Sequence, residues 1–190
     1  MMKKIPILLT LTCLVYTGLK AQSHFDLQRR SELSIGLEGA LPMNGWDLYA
    51  KNTKSASFGA GLSLKYVYNI NDMLATTTQI GGLHFFAHNL DGTKVNSDQF
   101  FLKAGIRLKT GIIYFEPACG ISSLSGNVPD KINGGFGASS ITPFTYAMAI
   151  GAFVGKSFDV SLRYEAMTKE ATVGYMGLRI AYKIPLGEVQ

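Results

Sequence analysis

Phe100-Phe101-Leu102-Lys103-Ala104-Gly105-Ile106-Arg107-Leu108 decides how this chain is read. Phe100, Leu102, Ala104, Ile106 and Leu108 form one apolar row, with Phe101, Lys103, Gly105 and Arg107 between them. A period of two marks a β-strand whose two faces meet different surroundings. Thr110-Gly111 then separates this run from a second one, the spacing of a tight hairpin turn. Beyond it, Ile113, Phe115, Pro117, Cys119 and Ile121 alternate with Tyr114, Glu116, Ala118, Gly120 and Ser122.

The period recurs along the chain, whereas helical spacing is hard to find after residue 22. Leu33, Ile35, Leu37 and Leu41 oppose Ser34, Gly36, Glu38 and Ala40. Phe58, Ala60, Leu62, Leu64, Tyr66 and Tyr68 oppose Gly59, Gly61, Ser63 and Lys65. Phe144, Tyr146, Met148, Ile150 and Val154 oppose Thr145, Ala147, Ala149 and Gly151. Phe158, Val160, Leu162 and Tyr164 oppose Asp159, Ser161, Arg163 and Glu165. Met176, Leu178, Ile180, Tyr182 and Ile184 oppose Gly177, Arg179, Ala181 and Lys183. The segment Leu74–Ala87 completes a set of eight, with two faces that the sequence leaves unassigned. Connections alternate as regularly: 42–55, 88–98 and 123–141 are long and polar, 69–72, 110–111 and 155–157 are brief, and 167–172 is intermediate. A meander with its long loops at one end has this form, as transmembrane β-barrels do.

Composition narrows the setting. The chain has 190 residues, 47% of them hydrophobic and only 16% charged, with 21 glycines. So apolar a chain is not a disordered polymer, and two cysteines, Cys13 and Cys119, do not make a disulfide scaffold. Lys3 and Lys4, the apolar stretch 5–19 and the small Ala21 before Gln22 have the layout of a secretory signal peptide. We expect residues 1–21 to be removed and residues 22–190 to form one barrel domain. Of the 18 basic residues, Lys3, Lys4 and Lys20 leave with the signal, so 15 face 13 acidic ones. No basic cluster remains that would suit nucleic acid.

The apolar row is expected to face lipid. An exported chain with no second long apolar run has no helical route into a membrane. Gly36, Gly59, Gly61, Gly105, Gly120, Gly151 and Gly177 all fall in the polar row. Small residues beside long charged ones suit the narrow interior of an eight-stranded barrel. Tyr66, Tyr68, Phe158 and Tyr182 lie near the short turns, and Phe58, Phe100 and Phe144 near the long loops. Two such belts match the interfacial girdles of a membrane barrel. The expected fold is therefore an all-β, eight-stranded antiparallel up-and-down transmembrane β-barrel. A soluble periplasmic calycin-like barrel is the competing architecture.

The ionisable residues of the inner row are Glu38, Lys65, Lys103, Arg107, Glu116, Asp159, Arg163, Glu165, Arg179 and Lys183. Unpaired buried charges cost several kcal/mol, so these must pair or meet water. The 110–111 turn would pair Arg107 with Tyr114 and set Glu116 diagonally between Lys103 and Arg107. Mixed signs in a narrow lumen point to an interlocked plug; a narrow channel or a carrier for a small hydrophobic ligand is the alternative. His84 and His88 would share one strand face about 13 Å apart, too far to ligate one metal. No metal or other cofactor is expected.

The lead ending Lys20-Ala21-Gln22, the eight alternating segments, Ser161-Leu162-Arg163-Tyr164-Glu165 and the closing Gly177-Leu178-Arg179-Ile180-Ala181-Tyr182-Lys183-Ile184 resemble the small outer-membrane β-barrel family, the porin-like, OmpA- and OmpX-like barrels of Gram-negative bacteria. The resemblance implies outer-membrane lipid as surroundings, both termini in the periplasm and insertion by the barrel assembly machinery, which reads the last strand. Such chains usually end on an aromatic residue, whereas Pro185-Leu186-Gly187-Glu188-Val189-Gln190 follows here. Some of these barrels modify lipid A with a serine and a histidine placed soon after an Arg-Tyr pair. Here Arg163-Tyr164 is followed by Glu165-Ala166-Met167-Thr168, so catalysis is not expected. The role implied is structural or surface-interactive, with no legible partner.

Overall fold

The computed structural model describes residues 31–43, 56–87, 89–90, 93–94, 96–129, 136–169 and 172–186. Eight long strands follow one another: β1 (Ser31–Pro42), β2 (Ala56–Asn69), β3 (Leu74–Ala87), β4 (Ser97–Thr110), β5 (Ile113–Pro129), β6 (Phe144–Val154), β7 (Phe158–Thr168) and β8 (Thr172–Leu186). Each pairs antiparallel with its neighbours in sequence. β1 also pairs with β8 from Ser31↔Leu186 to Pro42↔Tyr175, which closes the barrel. Closure leaves no unpaired edge in the wall, the condition for strands to cross hydrocarbon.

The outside is predominantly apolar. Leu37 is 67% exposed, Phe100 66% and Met148 60%, while Glu38, Lys103 and Glu116 are each at most 4% exposed. A water-soluble barrel would show the opposite arrangement. Aromatics ring both ends of the outer face: Phe158 meets Tyr182 edge-on at 5.6 Å, and Phe58 stacks with Phe86 at 6.5 Å. The eight-stranded membrane barrel expected from the alternation is the fold observed.

Several details differ from the expectation. The first hairpin turn is centred on Gly111 and Ile112, because Thr110 pairs with Ile113 and Lys109 with Tyr114. Gly111 has φ 63°, which the primed hairpin turns require at their first central residue. The segment 123–141 is largely a hairpin: β5 runs on to Pro129, and the strand Phe136–Ile141 returns beside it from Leu124↔Ile141 to Pro129↔Phe136. In the connection 88–98, Asn89–Leu90 pairs with Thr93–Lys94. The connection 167–172 shrinks to residues 169–171, since Thr168 pairs with Thr172. Residues 1–30 and His88 lie outside the described residues.

β3 resolves into two halves. Ala75, Thr77 and Gln79 face inward, and so do Leu83 and Phe85 beyond Gly81, whereas Ile80 and Phe86 face outward. The inner row thus turns from polar to apolar on the way to the loop end.

Glycine lets neighbouring backbones close in. A Cβ on Gly120 would stand 2.0 Å from the Leu102 carbonyl oxygen, and one on Gly61 1.9 Å from that of Gly82. Neither atom can swing aside as a side chain can. We expect Gly120→Val to destabilise the barrel by about 3 kcal/mol, at the upper end of overpacking costs. A lower urea midpoint for the compact, heat-modifiable band on gels would register it.

Candidate functional site: the charged lumen

The inner row places polar side chains toward the axis on every strand. Glu38 of β1, Lys65 of β2, Lys103 and Arg107 of β4, Glu116 of β5, Asp159, Arg163 and Glu165 of β7 and Arg179 of β8 are all buried. Lys183 is half-buried at the turn end, its Nζ 4.4 Å above the Phe153 ring.

The buried charges fall into two groups. Toward the loop end, Arg163 Nη1 donates to Glu38 Oε2 at 2.7 Å, and Lys103 Nζ meets Glu165 Oε2. Gln99 Nε2 also donates to Glu165, at 3.0 Å, while Gln79 Nε2 and Ser63 Oγ donate to Glu38 at 2.9 and 2.5 Å. Nearer the turns, Lys65 Nζ and Arg107 Nε donate to the two oxygens of Glu116 at 2.6 and 2.7 Å. Arg107 Nη1 lies 3.2 Å from Asp159 Oδ2, and Tyr114 Oη donates to Asp159 Oδ1 at 2.6 Å. Arg179 Nε bridges the groups, 3.4 Å from Glu38 and donating to Ser63 Oγ at 2.9 Å.

Glu116 therefore does not sit between Lys103 and Arg107. The observed turn brings it to Arg107 directly, and its second cation is Lys65 from across the lumen. Lys103 is taken by Glu165 instead. A register error of two residues keeps every side chain on its face but changes its partner.

Sequence reasoning put Ser34, Ser63, Ser122 and Thr145 in the inner row without a role and left Gln79 and Gln99 unassigned; all six are buried and hydrogen-bonded among the charges. It also missed an apolar layer above them at the loop end, formed by Ala40, Leu83, Phe85, Phe101, Met167, Val173 and Tyr175. Inner glycines receive large side chains from other strands. A Cβ on Gly81 would meet the Phe101 ring at 2.6 Å, and one on Gly151 would meet the Tyr114 ring at 2.3 Å. The expectation of small residues beside long ones describes this packing.

On the outer face, His84 Nδ1 and Asp98 Oδ1 lie 2.6 Å apart, so His84 is engaged by a carboxylate. Among the described residues, no three His, Cys, Asp or Glu side chains converge as metal ligands would.

Glu38 carries the heaviest load, since it meets Arg163, Arg179, Gln79 and Ser63, and its loss leaves Arg179 without its ion pair. Glu38→Gln is expected to cost about 3–5 kcal/mol, the range for breaking a buried ion pair. Lys156→Ala, in an exposed turn, should stay within about 0.5 kcal/mol. Urea titration of the folded gel band compares the two.

No protein-family model and no curated protein sequence matches the chain. Solved structures do. Ail, the attachment invasion locus protein of Yersinia pestis, is similar with a TM-score of 0.62 and 15% identity, over 83% of this chain and 100% of that one. Ail is also solved in complex with the heparin analogue sucrose octasulfate. The N-terminal β-barrel domain of Pseudomonas aeruginosa OprF gives 0.57 and 12%, over 83% and 99%. Neisserial surface protein A gives 0.52 and 12%, over 85% and 100%. The fold of this chain is that of the small eight-stranded outer-membrane β-barrels.

Proposed function

We propose that this chain is an integral outer-membrane protein of a Gram-negative envelope, with a structural or surface-interaction role and a plugged polar lumen. The observation that carries the reading is the pairing of the buried charges. Interlocked ion pairs occupy the middle of the barrel, and buried Phe85, Phe101, Met167 and Tyr175 lie above them. Charges committed to one another are not available to line an aqueous path, and collapsed apolar side chains leave little room for a hydrophobic passenger.

In this reading, residues 1–21 direct export and are cleaved after Ala21, and the barrel assembly machinery inserts residues 22–190. The ion-pair residues, from Glu38 to Lys183, serve to fill and fix the lumen and have no catalytic part. Function then falls to the loop end. The hairpin built from β5 and Phe136–Ile141 lengthens the wall there beyond the pairing of β5 with β6, which ends at Ile121↔Phe144. Complex formation by Ail with a heparin analogue supports external ligand binding as a use of this fold, without naming the ligand here.

Planar-bilayer recording of the purified barrel tests the plug. We expect no large, steady conductance; its appearance would favour the narrow-channel reading.

A further inference from the structure

The charge balance of the lumen is uneven. In the loop-side group, Lys103 and Arg163 face Glu38 and Glu165, two cations against two anions. In the turn-side group, Lys65 and Arg107 face Glu116 and Asp159, and Arg179 has its ion pair with Glu38 of the other group. One positive charge is left over, and the 3.4 Å approach of Arg179 to Glu38 shares a carboxylate that Arg163 already holds.

Of the buried arginine nitrogens without a hydrogen bond, Arg163 Nε still lies 3.0 Å from Glu165 Oε2, and the other two belong to the turn-side group. Arg107 Nη2 and Arg179 Nη1 are buried with no protein acceptor, although both residues are only 1% exposed. These arginines come from opposite walls, β4 and β8, and each reaches across the lumen. Arg107 touches Asp159 of β7, and Arg179 touches Ser63 of β2. Their anchors fix their relative height. Arg107 shares Glu116 with Lys65, and Arg179 holds Ser63, the preceding inward residue of β2, about 6.6 Å away along the strand.

We infer that the turn-side lumen holds one small monovalent anion of the halide class, bound between Arg107 and Arg179. Such an ion accepts from both donors and brings the group to neutrality, so one ligand answers two separate deficits. A water molecule would satisfy the hydrogen bonds but leave the excess charge, and buried uncompensated charge is among the costliest states a fold can contain. A polyatomic dianion would overshoot the single missing charge. The site rests on burial and ion pairing, and it is independent of any role at the loop end.

Crystals of the processed barrel grown in sodium bromide, measured at the bromine absorption edge, test the site. An anomalous peak in contact with both Arg107 Nη2 and Arg179 Nη1 is expected. It should vanish in Arg179→Gln, which removes the surplus charge and one donor. Should that variant fail to give the heat-modifiable folded band, Arg107→Lys, which keeps the charge and removes Nη2, should lower the peak at least twofold. Wild-type maps with water alone against the two nitrogens, or with bromide only elsewhere, would overturn the inference.

Discussion

The nine buried charges of the ion-pair network cannot share the interior of an eight-stranded barrel with their own hydration shells. Each one aimed at the axis must find a counter-charge or a hydrogen-bond partner, chiefly on another strand. This constraint organises the molecule. Glu38 of β1 is met from β7 and β8, Glu116 of β5 from β2 and β4, and Glu165 of β7 from β4. The network ties strands that the backbone ladder does not pair, so lumen and wall stabilise one another. The apolar exterior is the other half of the same division, because polar side chains sent outward would meet hydrocarbon.

The inner glycines follow from the same crowding. Arg179, Tyr114, Phe85 and Phe101 each lie over a glycine of another strand, respectively Gly36, Gly151, Gly59 and Gly81. A bulky residue at those positions would displace a charge carrier or an aromatic of the apolar layer. Here the lumen resembles a protein core built from ion pairs, with large and small residues interdigitated.

Alternation made the faces legible, because a strand buried differently on its two sides must repeat every second residue. Partners were less legible. Thr110-Gly111 and Gly111-Ile112 both place a glycine in a two-residue turn, and the two choices differ by a register step that preserves facing. Facing of Leu74–Ala87 was obscured because its inward row changes from polar at Thr77 and Gln79 to apolar at Leu83 and Phe85. The hairpin within 123–141 left little trace either. Its Gly, Ser and Asn content suits a loop, although its backbone pairs from Leu124↔Ile141 to Pro129↔Phe136.

The division between a lipid-facing and an axis-facing row is open to direct measurement. Nitroxide labels at Leu102→Cys and Ile180→Cys, in a Cys119→Ala background reconstituted in vesicles, report collisions with oxygen and with a water-soluble nickel chelate. The account predicts high oxygen and low nickel accessibility at both sites. Labels shielded from both quenchers, as at the centre of a soluble barrel, or open to the nickel chelate, would contradict it.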